Sequence, residues 1–364
     1  MKPTAEISQL IQDLDNGDAH RQHSAVFRLA RLGTARAVDA LLAALGSKEH
    51  RLRASIATAL SKTQDPRVLP ALTTHLLRDR SVQVRCTVAR ALAKRGKTVA
   101  IPSLTASAEK DPSRTVRAAS LRALGKLRDR SALPALARAL LSDPDPQVRR
   151  AAMQALLQLG DSSALPALCE ALSADSSASL RVEAAYICSA FADERTLQAL
   201  ETSLERDPSA RVRKACAEAL GKTNSAQSLP ALIEALESDE NHFVRWSAAR
   251  SLGYIGATGA IDPLLHSLAT DPSSYVCLAA ARALWEFGEL TMARVIHHLH
   301  DPDPGIRSMA FASLEWLTTD EEIHYSLDDG ADAQSNWDYD SQDAEDDFTA
   351  GGLSEDDHSS SNWN

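Results

Sequence analysis

The stretch LPALARALLSDPDPQVRRAAMQAL, residues 133–156, decides the fold. Its first half runs from Leu133-Pro134-Ala135-Leu136 to Leu140-Leu141. A turn at Asp143-Pro144 follows, and the second half carries Val148-Arg149, Ala151-Ala152 and Ala155-Leu156. Each half reads as a short helix. Pro134 fits a first helical turn, where the amide hydrogen it lacks would have no intrahelical acceptor. In the second half apolar residues fall at offsets 0, 3 or 4, 7 and 8 from Val148, which keeps one helical face buried. No alternating strand pattern competes.

Outward from Val148-Arg149 the same pair recurs at Leu52-Arg53, Val84-Arg85, Val116-Arg117, Leu180-Arg181, Val212-Arg213 and Val244-Arg245, then as Val276-Cys277 and Ile306-Arg307. The interval is 32 residues seven times and 30 at the last step. A fixed period of this size marks stacked units that bury their faces only against neighbours. Proline after the leading aliphatic returns at Pro70, Pro102, Pro166 and Pro230. An aspartate stands five residues before the aliphatic at Asp79, Asp111, Asp143, Asp175, Asp207, Asp239, Asp271 and Asp301. Its carboxylate is suited to close the turn or to accept from amides at the second helix start.

The period, with Asp-Pro, Val-Arg, Ala-Ala and Ala-Leu-Gly (Val116 to Gly125, Val212 to Gly221), resembles short bacterial HEAT repeats of the phycobilisome-lyase type over about residues 20 to 317. The resemblance implies an all-α, right-handed α-solenoid of about ten helix pairs. The first pair would be irregular, and the tenth, from about Glu289 to Leu317, would be shortened by the two-residue deletion. It also implies that the second helix of each pair lines the concave face, and that the periodic Asp and Arg form a ladder tying adjacent turns. As exposed pairs these would contribute at most about 1 kcal/mol each. Cys277 occupies the Arg slot and interrupts the ladder.

The net charge of −10 hides a division. Residues 319–364 hold 15 Asp or Glu and no Lys or Arg, whereas residues 1–318 carry 39 basic and 34 acidic groups, or +5. The tail, with Asp328-Asp329, Glu345-Asp346-Asp347 and Glu355-Asp356-Asp357 among Ser, Gly and Asn, has too little apolar surface to fold alone. The expected organisation is a solenoid over 1–318 and a disordered acidic tail over 319–364. Trp337, Tyr339, Phe348, Leu353 and Trp363 are apolar points within the tail, suited to docking on a partner or on the chain's own basic groove.

On the second helix, offsets 2 and 6 point away from the buried stripe on a helical wheel. They give Ala54/Thr58, Cys86/Arg90, Ala118/Arg122, Arg150/Gln154, Val182/Tyr186, Lys214/Glu218, Trp246/Arg250 and Leu278/Arg282. Arg with Trp or Tyr in a concave wall is the composition of binding hot spots. The candidate partner-binding residues are therefore Arg90, Arg122, Arg150, Tyr186, Lys214, Trp246, Arg250 and Arg282. The gradient is steep: Phe27 is the sole aromatic before Tyr186, and ten lie from Tyr186 to Trp316.

Other chemistries have weaker support. Cys86, Cys169, Cys188, Cys216 and Cys277 form no Cys-x-x-Cys pair and read as small buried thiols. His297, His298, His300, Asp301 and Asp303 make one dense cluster of potential ligands, though histidines in a last helical turn also answer the helix dipole. Deoxyhypusine hydroxylases resemble HEAT arrays and hold iron through His-Glu pairs, but the chain has no His-Glu dipeptide. There is no P-loop, Gly-x-Gly-x-x-Gly or Gly-x-Ser-x-Gly.

The favoured expectation is a non-catalytic, cytoplasmic, protein-binding solenoid without cofactor or membrane segment. Its expected partner is an acidic protein segment, with which the tail would compete in cis. The alternatives are a bilin lyase-like or other tetrapyrrole-handling protein, a weak nucleic-acid binder and a HEAT-type metal-dependent oxidoreductase.

Overall fold

A computed structural model describes residues 3–288, apart from 97 and 192, and the isolated positions 291, 296, 297, 307, 308 and 311. Apart from those isolated positions, the expected tenth pair lies outside the described residues, as do the histidine cluster beyond His297, Asp301 and the tail 319–364.

Among the described residues eighteen α-helices form nine antiparallel pairs, and there is no strand. The first helices are α1 (Pro3–Asn16), α3 (Ala35–Ala44), α5 (Val68–Arg78), α7 (Ile101–Lys110), α9 (Leu133–Ser142), α11 (Leu165–Ala174), α13 (Glu194–Arg206), α15 (Leu229–Ser238) and α17 (Ile261–Thr270). Their partners are α2 (Ala19–Leu32), α4 (His50–Leu60), α6 (Val82–Arg95), α8 (Arg114–Leu127), α10 (Pro146–Leu159), α12 (Ala178–Ser189), α14 (Ala210–Thr223), α16 (His242–Ile255) and α18 (Ser274–Glu286). Pro102, Pro134, Pro166 and Pro230 sit in the first turn of their helices, as the sequence predicts. Five second helices, α6, α8, α10, α14 and α16, end twelve residues after the aliphatic in a left-handed residue, glycine at Gly96, Gly160 and Gly256 but Arg128 (φ 51°) and Asn224 (φ 52°) in the other two, whereas α4 and α12 stop earlier at right-handed Ser61 and Ala190.

One continuous core runs through the stack, built from residues such as Leu72, Leu92, Leu104, Leu121 and Leu124 with many alanines between them. Alanine lets helices approach closely, and the second helices exploit this further. A Cβ added at Gly125 of α8 would lie 2.8 Å from the Ala155 Cα of α10, and Gly253 meets Ala283 in the same way. The first helices pack on one another more loosely. The second-helix row is thus the inner, tighter side of the stack.

This row has one seam. At the positions where α8 and α10 present Gly125 and Ala155, α10 and α12 present Leu157 and Ile187. Two branched side chains replace a glycine and an alanine, and α10 and α12 touch only sparingly. Leu157 is left 42% exposed. A polar clasp bridges the seam: Arg150 Nε donates to Glu183 Oε2 at 2.9 Å and Gln154 Nε2 to Glu183 Oε1 at 3.1 Å.

The Asp-Arg ladder is present, and it differs from expectation in being nearly buried. Arg53 donates Nε and Nη2 to Asp79 at 2.8 and 2.7 Å, and its Nη1 to the carbonyls of Ser47 and Lys48. The same bidentate bond joins Arg85 to Asp111, Arg117 to Asp143, Arg149 to Asp175, Arg181 to Asp207, Arg213 to Asp239 and Arg245 to Asp271. Each arginine therefore reaches the aspartate of the following repeat, 26 residues on. The aspartate closes its own turn by accepting the amide two residues ahead, as Asp79 does from Ser81. Side-chain exposure is 12% for Arg53 and 3% for Asp79, so these are not the exposed pairs of small worth that the sequence suggested. In the last described slot the Cys277 thiol donates to the Asp271 carbonyl at 3.3 Å, the counterpart of the local contact each arginine makes with its own turn.

Candidate protein-binding face

The wheel argument put offsets 2 and 6 outward, and the structure shifts that line. Offset 2 is packed between neighbouring second helices from α4 to α16: Ala54 and Ala118 are buried, and Cys86, Arg150, Val182, Lys214 and Trp246 are half-buried, while Leu278 of α18 is exposed. The wheel counts only the stripe facing the first helices, whereas the close approach of second helices buries their flanks too. The open line runs instead through offsets −1, 6 and 10. It includes Arg51, Arg90, Lys94, Arg122 and Lys126, of which only Arg90 and Arg122 belong to the line expected from the sequence.

Toward the C-terminus the candidates form a closed polar network. The Tyr186 hydroxyl donates to Glu218 Oε2 at 2.5 Å, Lys214 Nζ donates to Glu218 Oε1 at 2.7 Å, and Ser247 adds a longer bond at 3.4 Å. Burial raises the Glu218 pKa, but the charge and hydrogen bond of Lys214, the Tyr186 hydroxyl and nearby Arg250 outweigh it and leave the carboxyl below its ordinary range. Burial and the Glu218 carboxylate together push the Tyr186 phenol well above its usual value. Lys222 lies 5.0 Å from the Tyr186 ring centre. Arg250 lies 4.5 Å from the Trp246 ring and 5.7 Å from that of Tyr254, whose hydroxyl accepts from its Nη2. Exposed Arg282 shares a small cleft with Arg250 and Tyr254. The structure thus brings Tyr186 with Lys214, and Trp246 with Arg250, into contacts with their own neighbours.

Toward the N-terminus the face is open and cationic. The helices α2, α4, α6, α8 and α10 contain fifteen Arg or Lys and no Asp or Glu. Some of these charges are answered from elsewhere: the ladder arginines by aspartates, Arg28 by Glu6, Arg114 by Asp145 and Arg150 by Glu183. Among the described residues no carboxylate ion-pairs with Arg51, Arg90, Lys94, Arg122 or Lys126. The first three border a groove of about 560 Å³ across α2, α4 and α6, which Thr58, Thr87 and Phe27 also line. Phe27 is 44% exposed, and Lys62 Nζ stands 5.9 Å from its ring centre. Cations, hydroxyls and one aromatic ring thus line the groove without a carboxylate. Aromatic residues are scarce at this end of the chain, but the absence of acid from its second helices is legible in sequence.

Of the cysteines, Cys188, Cys216 and Cys277 are buried as expected, whereas Cys86 and Cys169 are half-buried. His297 is exposed, and its expected co-ligands lie outside the described residues. No described helix is long and apolar enough to cross a membrane.

A family model for HEAT repeats matches residues 7–82, 70–156, 133–220, 197–285 and 261–338, five overlapping spans that follow the repeats from end to end. The chain belongs to the HEAT-repeat family. Among curated proteins none matches its sequence. Among solved structures this HEAT-repeat protein is similar to Kap121p bound to Nup53p, at 16% identity over 85% of its own length and 41% of that chain, with a TM-score of 0.62. It is also similar to human deoxyhypusine hydroxylase, at 26% identity over 69% of its own length and 96% of that chain, with a TM-score of 0.32. The complex of CpcE and CpcF of phycocyanin lyase from Nostoc sp. PCC7120 matches at 23% identity over 77% and 94%, with a TM-score of 0.32. The likeness to Kap121p concerns the fold.

Proposed function

We propose that this HEAT-repeat protein is a non-catalytic binding scaffold that holds an extended acidic segment of a protein partner along its inner face. The observation that carries the reading is the run of five second helices without an acidic residue, with Arg51, Arg90, Lys94, Arg122 and Lys126 outside the ladder. Cationic side chains on successive helices match an extended chain. Inner helices spaced about 8–10 Å apart meet roughly every third residue of a strand rising about 3.3 Å per residue. Phe27 supplies an apolar contact at one end of that track. The candidate residues Arg90 and Arg122 belong to it. Tyr186, Lys214, Trp246, Arg250 and Arg282 form its C-terminal flank, where an aromatic anchor of the partner would stack.

The test is binding of a fluorescent peptide alternating Glu and Asp with one Trp, measured at low and at physiological salt. Binding should weaken as salt rises and should be lost in R51E/R90E/K94E with helicity unchanged. Equal binding by that triple variant would overturn the reading. Tighter binding of a 20-base single-stranded oligonucleotide than of the peptide would turn it toward nucleic acid.

A further inference from the structure

The cationic groove across α2, α4 and α6 has a natural occupant in the same chain. We propose that residues 337–357 lie in this groove in cis and compete there with the partner segment, an inference that rests on the scaffold reading above. Between Trp337 and Asp357 the sequence has nine acidic residues, no Lys or Arg, and the aromatics Trp337, Tyr339 and Phe348. The groove offers the complement: Arg51, Arg90 and Lys94 among hydroxyls, no acid on its three helices, and the exposed Phe27 ring.

Reach is sufficient. Inner helices about 8–10 Å apart place α6 roughly 50–60 Å and α2 roughly 65–80 Å from α18 along the stack. Counted from Gly288, where the continuously described chain ends, an extended chain at about 3.3 Å per residue brings residue 337 to at most roughly 160 Å and residue 357 to at most roughly 230 Å. The acidic-aromatic segment thus has length to spare at both α6 and α2. A linker rich in like charges extends by self-repulsion, which favours such a traverse. Along the way the segment passes Arg122 and Lys126 on α8.

The experiment uses the full chain and a labelled synthetic peptide with the sequence of residues 337–348. Native protein is compared with a full-length variant carrying D338N, D340N, D343N, E345Q, D346N, D347N, E355Q, D356N and D357N, at low salt. An occupied groove must be vacated first, so the neutralised-tail chain should bind the peptide at least about tenfold more tightly than native. Adding R51E/R90E/K94E to it should abolish binding. Equal affinity of the native and neutralised chains, with loss in the triple variant, would overturn cis occupancy and leave the scaffold reading standing. Dimers in sedimentation that vanish on neutralising the tail would overturn it in favour of exchange between copies. Absence of binding to either chain would overturn both readings.

Discussion

Arg53 and Asp79 face each other across a repeat boundary through two parallel hydrogen bonds of 2.8 and 2.7 Å, with the carboxylate 3% exposed. The third nitrogen of the same guanidinium holds carbonyls of its own turn, and the same carboxylate holds the Ser81 amide of the next. One side-chain pair therefore fixes two turns and the distance between them, and it recurs in register along the stack.

Because the pairs are buried, removing one partner leaves an uncompensated charge. Asp143→Ala strands Arg117 and frees the Asp145 amide. It should lower stability by about 3 kcal/mol, while the double variant R117M/D143L, which replaces the pair by apolar groups, should recover a large part of that. Urea midpoints of the single and double variants measure both effects. A loss under about 1 kcal/mol for Asp143→Ala would return the ladder to the class of surface pairs.

Acid should unfasten the ladder. Burial raises the Asp79 pKa, but Arg53, the Ser81 amide and His75 outweigh it and hold the carboxyl at about 2 against an ordinary 3.8. A carboxyl with a depressed folded-state pKa contributes stability that is full above the unfolded value and is lost as pH falls toward the folded one. The contribution of Asp79 should therefore be intact above about pH 4 and vanish between about pH 4 and 2. The difference in urea midpoint between native protein and Asp79→Asn should shrink over that window and be flat from pH 5 to 7.

Arg128 occupies a helix-ending slot that Gly96, Gly160 and Gly256 fill elsewhere, with φ at 51°. A side chain in the left-handed region costs about 1 kcal/mol, and the Arg128 side chain is exposed. Arg128→Gly should raise stability by about 0.5–1 kcal/mol, read as a higher urea midpoint. Gly160→Arg, the reverse change one repeat later, should lower it by a similar amount.

The repeat, the helix pairs and the proline-marked starts are legible in sequence because each depends on spacing within one helix. Val148-Arg149 and Pro134 suffice to place α9 and α10. What spacing within a helix does not carry is contact between repeats. The wheel left offset 2 outward because it had no account of the neighbouring second helix that covers Ala54 and Ala118. For the same reason it passed over Lys94 and Lys126, and it treated Tyr186 and Glu218 as separate positions although their side chains bond at 2.5 Å. The Asp-Arg period was visible, but not that each arginine would be enclosed by the turn of the next repeat.

The seam between α10 and α12 is the place where the stack should open most readily. Leu157 and Ile187 keep the two helices apart where Gly125 and Ala155 bring α8 and α10 together, so fewer apolar contacts oppose separation there. The clasp of Arg150 and Gln154 on Glu183 is partly solvated, with 29% and 28% of the Arg150 and Glu183 side chains exposed, so it contributes about 0.2–1 kcal/mol. Removing it by Glu183→Ala should speed amide hydrogen exchange in α10 and α12 by roughly 1.5- to 5-fold, with little change in α4, α6 and α16. Exchange that rises uniformly along the chain would show the repeats to be one cooperative block without a seam.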